Sequence, residues 1–243
     1  MRILIAGNWK MNGSRHQLDA WVDAMMAAGP VGVDLLVCPP FTLIERAARL
    51  LAGSGVAVGG QDCHAAAEGA FTGDVSAVML RDVGATHVIV GHSERRAGYA
   101  ESDAAVRRKA EAALAAGLAP IVCVGETADQ RRAGTQKQVI GAQLDGSLPP
   151  GFSGIVAYEP VWAIGTGLVP SLADVAAMHA FILGRCGATQ VLYGGSVKPD
   201  NATSLLTVPG VGGALVGGAS LDAAGFLKIA GAIARPGPLK LLD

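Results

Sequence analysis

Eight short apolar runs recur along this chain at nearly even spacing, and that pulse limits the fold more than any other feature. They are Ile3–Ala6, Leu35–Cys38, Val56–Val58, Val88–Val90, Ile121–Val124, Ile155–Tyr158, Val191–Tyr193 and Ala214–Val216. Shared among 243 residues, each run has about 30 to itself, the length of one strand followed by one helix. Stretches between the runs carry Ala, Leu and Arg at helical spacing, as in Asp103–Ala116 and Leu172–Leu183. Gly117 and Gly187 stand where helices would close, and Pro170-Ser171 offers a start for the second. No Ser/Pro linker or charge run divides the chain, so the pattern predicts one domain over residues 1–243.

Eight alternating units predict an α/β fold, a closed (β/α)8 barrel. An open doubly wound sheet is the alternative, but its first-turn G-x-G-x-x-G fingerprint is absent. The barrel makes a demand, because barrel active sites form just beyond the strand ends. Polar groups should gather there, and they do. Asn8-Trp9-Lys10 follows the first run, Gln61-Asp62 the third, His92-Ser93-Glu94 the fourth and Glu126 the fifth. Glu159 follows the sixth, Ser196 the seventh, and Gly217-Gly218 the eighth.

Composition narrows the function classes. Hydrophobic residues make up 51% of the chain, which suits parallel strands covered by helices. A net charge of −1 gives no basic field, so no nucleic-acid partner is expected. Cys38, Cys63, Cys123 and Cys186 form no C-x-x-C pair and no zinc spacing, which predicts reduced thiols, no metal and a cytoplasmic protein. No run approaches the ~18 apolar residues of a membrane span.

One segment, Ala157-Tyr-Glu-Pro-Val-Trp-Ala-Ile-Gly-Thr-Gly167, speaks to chemistry. Glu159 ends an apolar strand, and Pro160 bars its continuation by fixing φ and removing a donor. Val161, Trp162 and Ile164 are large apolar residues in a loop, a costly arrangement unless the loop shuts over something. Gly165 and Gly167 are candidate hinges. A proton-handling carboxylate thus sits beside a flap able to exclude water. Closure would desolvate it and raise its basicity.

Five motifs in chain order resemble the triosephosphate isomerase family: Asn8-Trp-Lys-Met-Asn12, Gly91-His-Ser-Glu-Arg-Arg96, Ala157–Gly167, Tyr193-Gly-Gly-Ser196 and Leu215-Val-Gly-Gly-Ala-Ser-Leu221. The match runs nearly end to end and is poorest over residues 128–152. The resemblance implies a TIM barrel that interconverts dihydroxyacetone phosphate and D-glyceraldehyde 3-phosphate through an enediol(ate), with no cofactor. It implies Glu159 as the base and His92 as a neutral electrophile, its ring kept uncharged by a helix starting at Ser93-Glu94. Lys10 would supply fixed positive charge with Asn8 beside it, and Glu94 would orient Lys10 or join a proton relay. A salt bridge from Glu94 to Arg95 is the structural alternative. The phosphate would lie on Gly165, Ser196, Gly217 and Gly218, where glycine lets backbone N–H groups approach and a helix from Ala219-Ser220 would add its dipole. Ala65–Gly73, tipped by Phe71-Thr72-Gly73, is similar to the family's homodimer loop, which reaches the partner's site near Asn8 and Lys10.

Rival chemistries leave weaker traces. Gly91-His-Ser93 and Gly194-Gly-Ser196 lack the second glycine of a G-x-S-x-G elbow, and no Gly-Lys-Ser/Thr of a P-loop occurs. A Schiff-base aldolase using Lys10 and a non-catalytic sugar-phosphate binder on the same barrel are the two remaining alternatives.

Overall fold

Each apolar run folds as a strand because it is buried on both faces. The structure, a computed structural model, describes residues 2–29, 31–164 and 170–233. The strands are β1 Leu4–Asn8, β2 Asp34–Cys38, β3 Val56–Gly60, β4 His87–Val90, β5 Ala119–Val124, β6 Ile155–Tyr158, β7 Gln190–Tyr193 and β8 Gly213–Val216. All neighbours pair parallel in chain order, and β8 pairs back onto β1 to close the barrel. Alternate side chains split between two cores, as the strand period of two requires. Leu36, Cys38, Ile89, Ile121 and Cys123 fill the interior, while Leu35, Val37, Val88, Val90 and Val122 pack against the helices.

Helices follow their sequence signals closely. Leu172–Arg185 buries Val175, Met178, His179 and Ile182 on one stripe, and Ser171 Oγ caps it by accepting from the Asp174 N–H at 3.1 Å. Asp103–Ala115 ends near Gly117, whose φ of +74° is the left-handed conformation glycine tolerates. Gly187 differs from its expected role. It has no positive φ; a Cβ there would meet the Phe152 carbonyl oxygen at 2.5 Å, so close packing explains the glycine. The poorly matched stretch forms two helices, Ala128–Arg132 and Gln136–Ser147. Thr127 and Gln130 cap the first reciprocally: Thr127 Oγ1 accepts from Gln130 N–H at 3.3 Å and Gln130 Oε1 from Thr127 N–H at 2.8 Å.

The strand ends are tied together at the same face of the barrel. Trp9, fully buried, meets Trp21 edge to face at 5.8 Å, and Trp21 Nε1 donates to the Ser220 carbonyl at 3.0 Å. That links the loop after β1 to the loop after β8. Below the Ala65–Gly73 loop, Lys109 Nζ lies 2.8 Å from Asp62 and 2.5 Å from Glu101. Arg95 bridges the same two carboxylates at 2.9 and 2.6 Å. Asp62 is therefore a structural ion-pair partner.

Candidate active site

Glu159 and His92 meet at the floor of a cavity of about 240 Å³ above the strand ends. Lys10, Asn8, Ser196, Gly217 and Gly218 line the same cavity, so nearly all the candidate residues converge. Gly165 lies outside the described residues. Glu94 is solvent-exposed and does not line the cavity, but it is ion-paired to Lys10 Nζ and lies 3.7 Å from His92 Nδ1. Arg95 is engaged by Asp62 and Glu101 instead, which removes the alternative pairing of Glu94 with Arg95.

Glu159 follows β6 and is 1% exposed. Oε1 lies 2.8 Å from His92 Nε2, and Oε2 accepts the Ser93 N–H at 2.9 Å. The side chain fits only because β7 is followed by a residue without a Cβ: at Gly194 that atom would stand 2.9 Å from Glu159 Cγ. His92 caps the helix Ser93–Gly98, Nδ1 accepting the Glu94 N–H at 3.2 Å. The acceptor role assigns the ring hydrogen to Nε2, facing Glu159, and so a neutral ring in this resting geometry.

Burial opposes charge on both groups, but the pair outweighs it. Glu159 and then Glu94 lift the His92 pKa above its ordinary value, with Lys10 opposing. His92, the Ser93 N–H and Lys10 hold the Glu159 carboxyl below the usual carboxylate range despite its full burial. This differs from a base made stronger by desolvation and a ring whose pKa is depressed by a helix end. The contact at 2.8 Å between carboxylate and ring is the reason, and only a substrate that parts the two groups would remove it.

Lys10 is held by its backbone. Its N–H donates to Asn8 Oδ1 at 3.0 Å, and its carbonyl accepts from Gln61 Nε2 at 2.9 Å. Its φ of +53° is left-handed, a conformation costing a non-glycine residue about 1–2 kcal/mol. Such strain persists where surrounding bonds over-determine it. Gln61 was legible only as a polar residue after β3; its reach to both Lys10 and the Cys38 carbonyl needs the closed barrel. Cys123 is another unforeseen neighbour. Burial, and then Glu159, push its thiol well up, so a protonated thiol backs the carboxylate. Its inward parity with Ile121 at the top of β5 is the signal that would have found it.

At the opposite wall, no protein hydrogen bond among the described residues claims the amides of Gly195, Ser196, Gly217 and Gly218. The expected helix at Ala219-Ser220 is a single 3-10 turn, Gly218–Ser220, and the true helix begins at Ala223 under an Asp222 cap. Backbone amides, more than a long helix, therefore face this end. Glu126 is fully buried and takes hydrogen bonds from Tyr158 Oη at 3.0 Å and Trp162 Nε1 at 3.1 Å, anchoring the start of the flap. The four other histidines stay out of the cavity.

A (β/α)8 barrel with a buried carboxylate against an imidazole, an adjacent ammonium and a wall of unclaimed amides is built to move protons on a small anionic substrate. The triosephosphate isomerase family model matches residues 3–233. The triosephosphate isomerase of Granulibacter bethesdensis is 56% identical over 249 residues, covering 96% of this chain and 100% of that protein. That of Acidiphilium cryptum is 58% identical over 250 residues, covering 96% and 98%. The crystal structure of triosephosphate isomerase from Bartonella henselae superposes with a TM-score of 0.87 at 47% identity, covering 96% and 99%. The chain belongs to the triosephosphate isomerase family. Its reaction is the interconversion of dihydroxyacetone phosphate and D-glyceraldehyde 3-phosphate through an enediol(ate), a step of glycolysis.

Proposed function

We propose that Glu159 is the base of this isomerisation, His92 its electrophile and Lys10 its fixed cation. The observation that carries the assignment is the buried Glu159–His92 contact at 2.8 Å within one cavity. Substrate enters between the two groups. The carboxylate takes a proton from the hydroxymethyl carbon of dihydroxyacetone phosphate, and the released electron pair forms the enediolate double bond. The carbonyl oxygen gains the negative charge, facing His92 Nε2–H and the Lys10 ammonium. His92 gives its Nε2 hydrogen to that oxygen and takes the hydrogen of the adjoining hydroxyl, and return of the first proton from Glu159 to the neighbouring carbon then gives the aldose. Asn8 and Glu94 position Lys10, one through its backbone N–H and the other through its ammonium. That ion pair suits a fixed charge better than a Schiff-base nucleophile.

The phosphate rests on the amides after β7 and β8, at Ser196, Gly217 and Gly218. No cofactor is required. The chain acts as one catalytic domain, residues 1–243, and works in the cytoplasm, a reading supported by four unpaired cysteines. No described helix is long and apolar enough to cross a membrane. A homodimer forms through the loop tipped by Phe71-Thr72-Gly73. Exposed Phe71, Val78 and Met79 line one groove beside it, and Met11, next to Lys10, is 95% exposed in the single chain. A crystal soaked with phosphoglycolate tests the site. The carboxylate end is expected between Glu159 and His92 and the phosphate on residues 194–196 and 217–218; a ligand bound elsewhere overturns the assignment.

A further inference from the structure

We infer that Lys198 is a further substrate-binding residue, drawing the phosphate dianion to the rim of the cavity above Ser196. This rests on the placement of the phosphate at the turns after β7 and β8. Lys198 lines the same cavity as Glu159, His92 and Lys10, is solvent-exposed, and has no ion-pair partner among the described residues. Its place is fixed by Asn201, whose Oδ1 accepts the Lys198 N–H at 2.8 Å and whose Nδ2 donates to the Ser196 carbonyl at 3.0 Å. The lysine therefore stays registered to the turn that presents the Ser196 amide.

Charge makes the residue matter. Lys10 is balanced by Glu94, and His92 is neutral in its resting hydrogen-bond pattern. The uncompensated charge in the cavity is then that of Glu159, and it is negative. The substrate's phosphate ester is mostly a dianion near pH 7, because its second pKa is about 6. The amides of Gly195, Ser196, Gly217 and Gly218 carry only partial positive charge, and the protein's net charge of −1 supplies no general attraction. Lys10, whose Cε lies beside Gly217, also reaches this end but is paired with Glu94, whereas Lys198 lines the cavity there with no carboxylate partner among the described residues. An exposed lysine acts over about a Debye length, so it aids capture and binding, and the chemical step remains with Glu159, His92 and Lys10.

The test compares the parent with Lys198→Gln and Lys198→Arg, each checked for an unchanged melting temperature. Steady-state kinetics on D-glyceraldehyde 3-phosphate are measured from about 10 to 200 mM ionic strength. Lys198→Gln should lower kcat/KM roughly three- to tenfold at low salt, chiefly through KM, and flatten its salt dependence. Lys198→Arg should restore both. Isomerisation of D-glyceraldehyde, which lacks the phosphate, should proceed at the same rate in all three proteins. An unchanged kcat/KM in Lys198→Gln, an equal loss on both substrates, or failure of Lys198→Arg to rescue overturns the inference. Phosphoglycolate in crystals of the parent separates the two levels. Phosphate found away from residues 194–196 and 217–218 removes the site placement itself, whereas phosphate found there with inert Lys198 variants removes only the role of the lysine.

Discussion

Glu159 Oε1 stands 2.8 Å from His92 Nε2, so the base and the electrophile of the proposed reaction are each other's partners before substrate arrives. The contact stores the catalytic groups as a hydrogen-bonded pair, with the Glu159 carboxylate met by the His92 ring and the Ser93 N–H. It also sets the direction of an NMR titration. His92 lies above its ordinary value of 6.5 because the Glu159 charge outweighs burial. In Glu159→Gln that charge is gone, leaving burial and Lys10 opposed to protonation and only Glu94 in favour. The His92 ring should then titrate at lower pH than in the parent. An unchanged or higher value would contradict the pairing.

Gly194 gives the base its room. A Cβ at this position would lie 2.9 Å from Glu159 Cγ and 3.1 Å from the Tyr158 carbonyl oxygen, so Gly194→Ala must displace the carboxylate or the end of β6. Misplacement on the ångström scale costs about 10²-fold in rate. The expected result is a loss of that order in kcat, with about 1–3 kcal/mol less stability by urea denaturation. Parental kcat in a well-folded Gly194→Ala protein would show that the neighbouring chain yields without moving Glu159.

Lys10 separates charge from loop structure, because the bonds that hold it use its backbone N–H and carbonyl. Lys10→Ala keeps both and deletes only the ammonium. Its circular dichroism and melting temperature should stay close to the parent's, while kcat/KM falls by roughly 10²- to 10³-fold, the loss typical of one preorganised stabilising group. Activity within a few-fold of the parent would remove Lys10 from the mechanism.

His179 predicts how stability responds to acid. It is fully buried, Nδ1 lies 3.2 Å from the Gly210 carbonyl, and burial lowers its pKa from 6.5 to about 4. Between those values the unfolded chain binds a proton that the folded chain refuses. Stability must therefore fall as pH drops from 6.5 toward about 4, by roughly 3 kcal/mol from this residue. His179→Gln retains a donor for Gly210 and does not titrate. Denaturant unfolding at several pH values should show a shallower acid decline in the variant; identical slopes would assign the acid sensitivity elsewhere.

Strand positions were readable from sequence because parallel strands buried on two faces leave unbroken apolar runs. Ile155–Tyr158 matches its strand residue for residue, whereas β3 extends past its apolar run through Gly59-Gly60, where glycine carries no apolar signal. The cluster at the strand ends was legible for the same reason, since each polar residue follows a run. What escaped depends on contacts across the closed barrel. The Ser93 N–H on Glu159, the Gln61 clamp on Lys10 and the Cys123 thiol behind the carboxylate join residues 36 to 66 positions apart. The left-handed Lys10 likewise left no trace, because lysine at that position predicts an ordinary φ. Gly187 misled in the other direction, resembling a helix cap while serving the Phe152 contact.

Proton abstraction by Glu159 is tested most directly by deuterium uptake from D2O at the hydroxymethyl carbon of dihydroxyacetone phosphate, followed by NMR in the parent and in Glu159→Gln. The amide keeps the size of the carboxyl group but accepts no proton, so label should enter rapidly with the parent and roughly 10²- to 10⁴-fold more slowly with the variant. Exchange by Glu159→Gln at the parental rate would place the base on another residue.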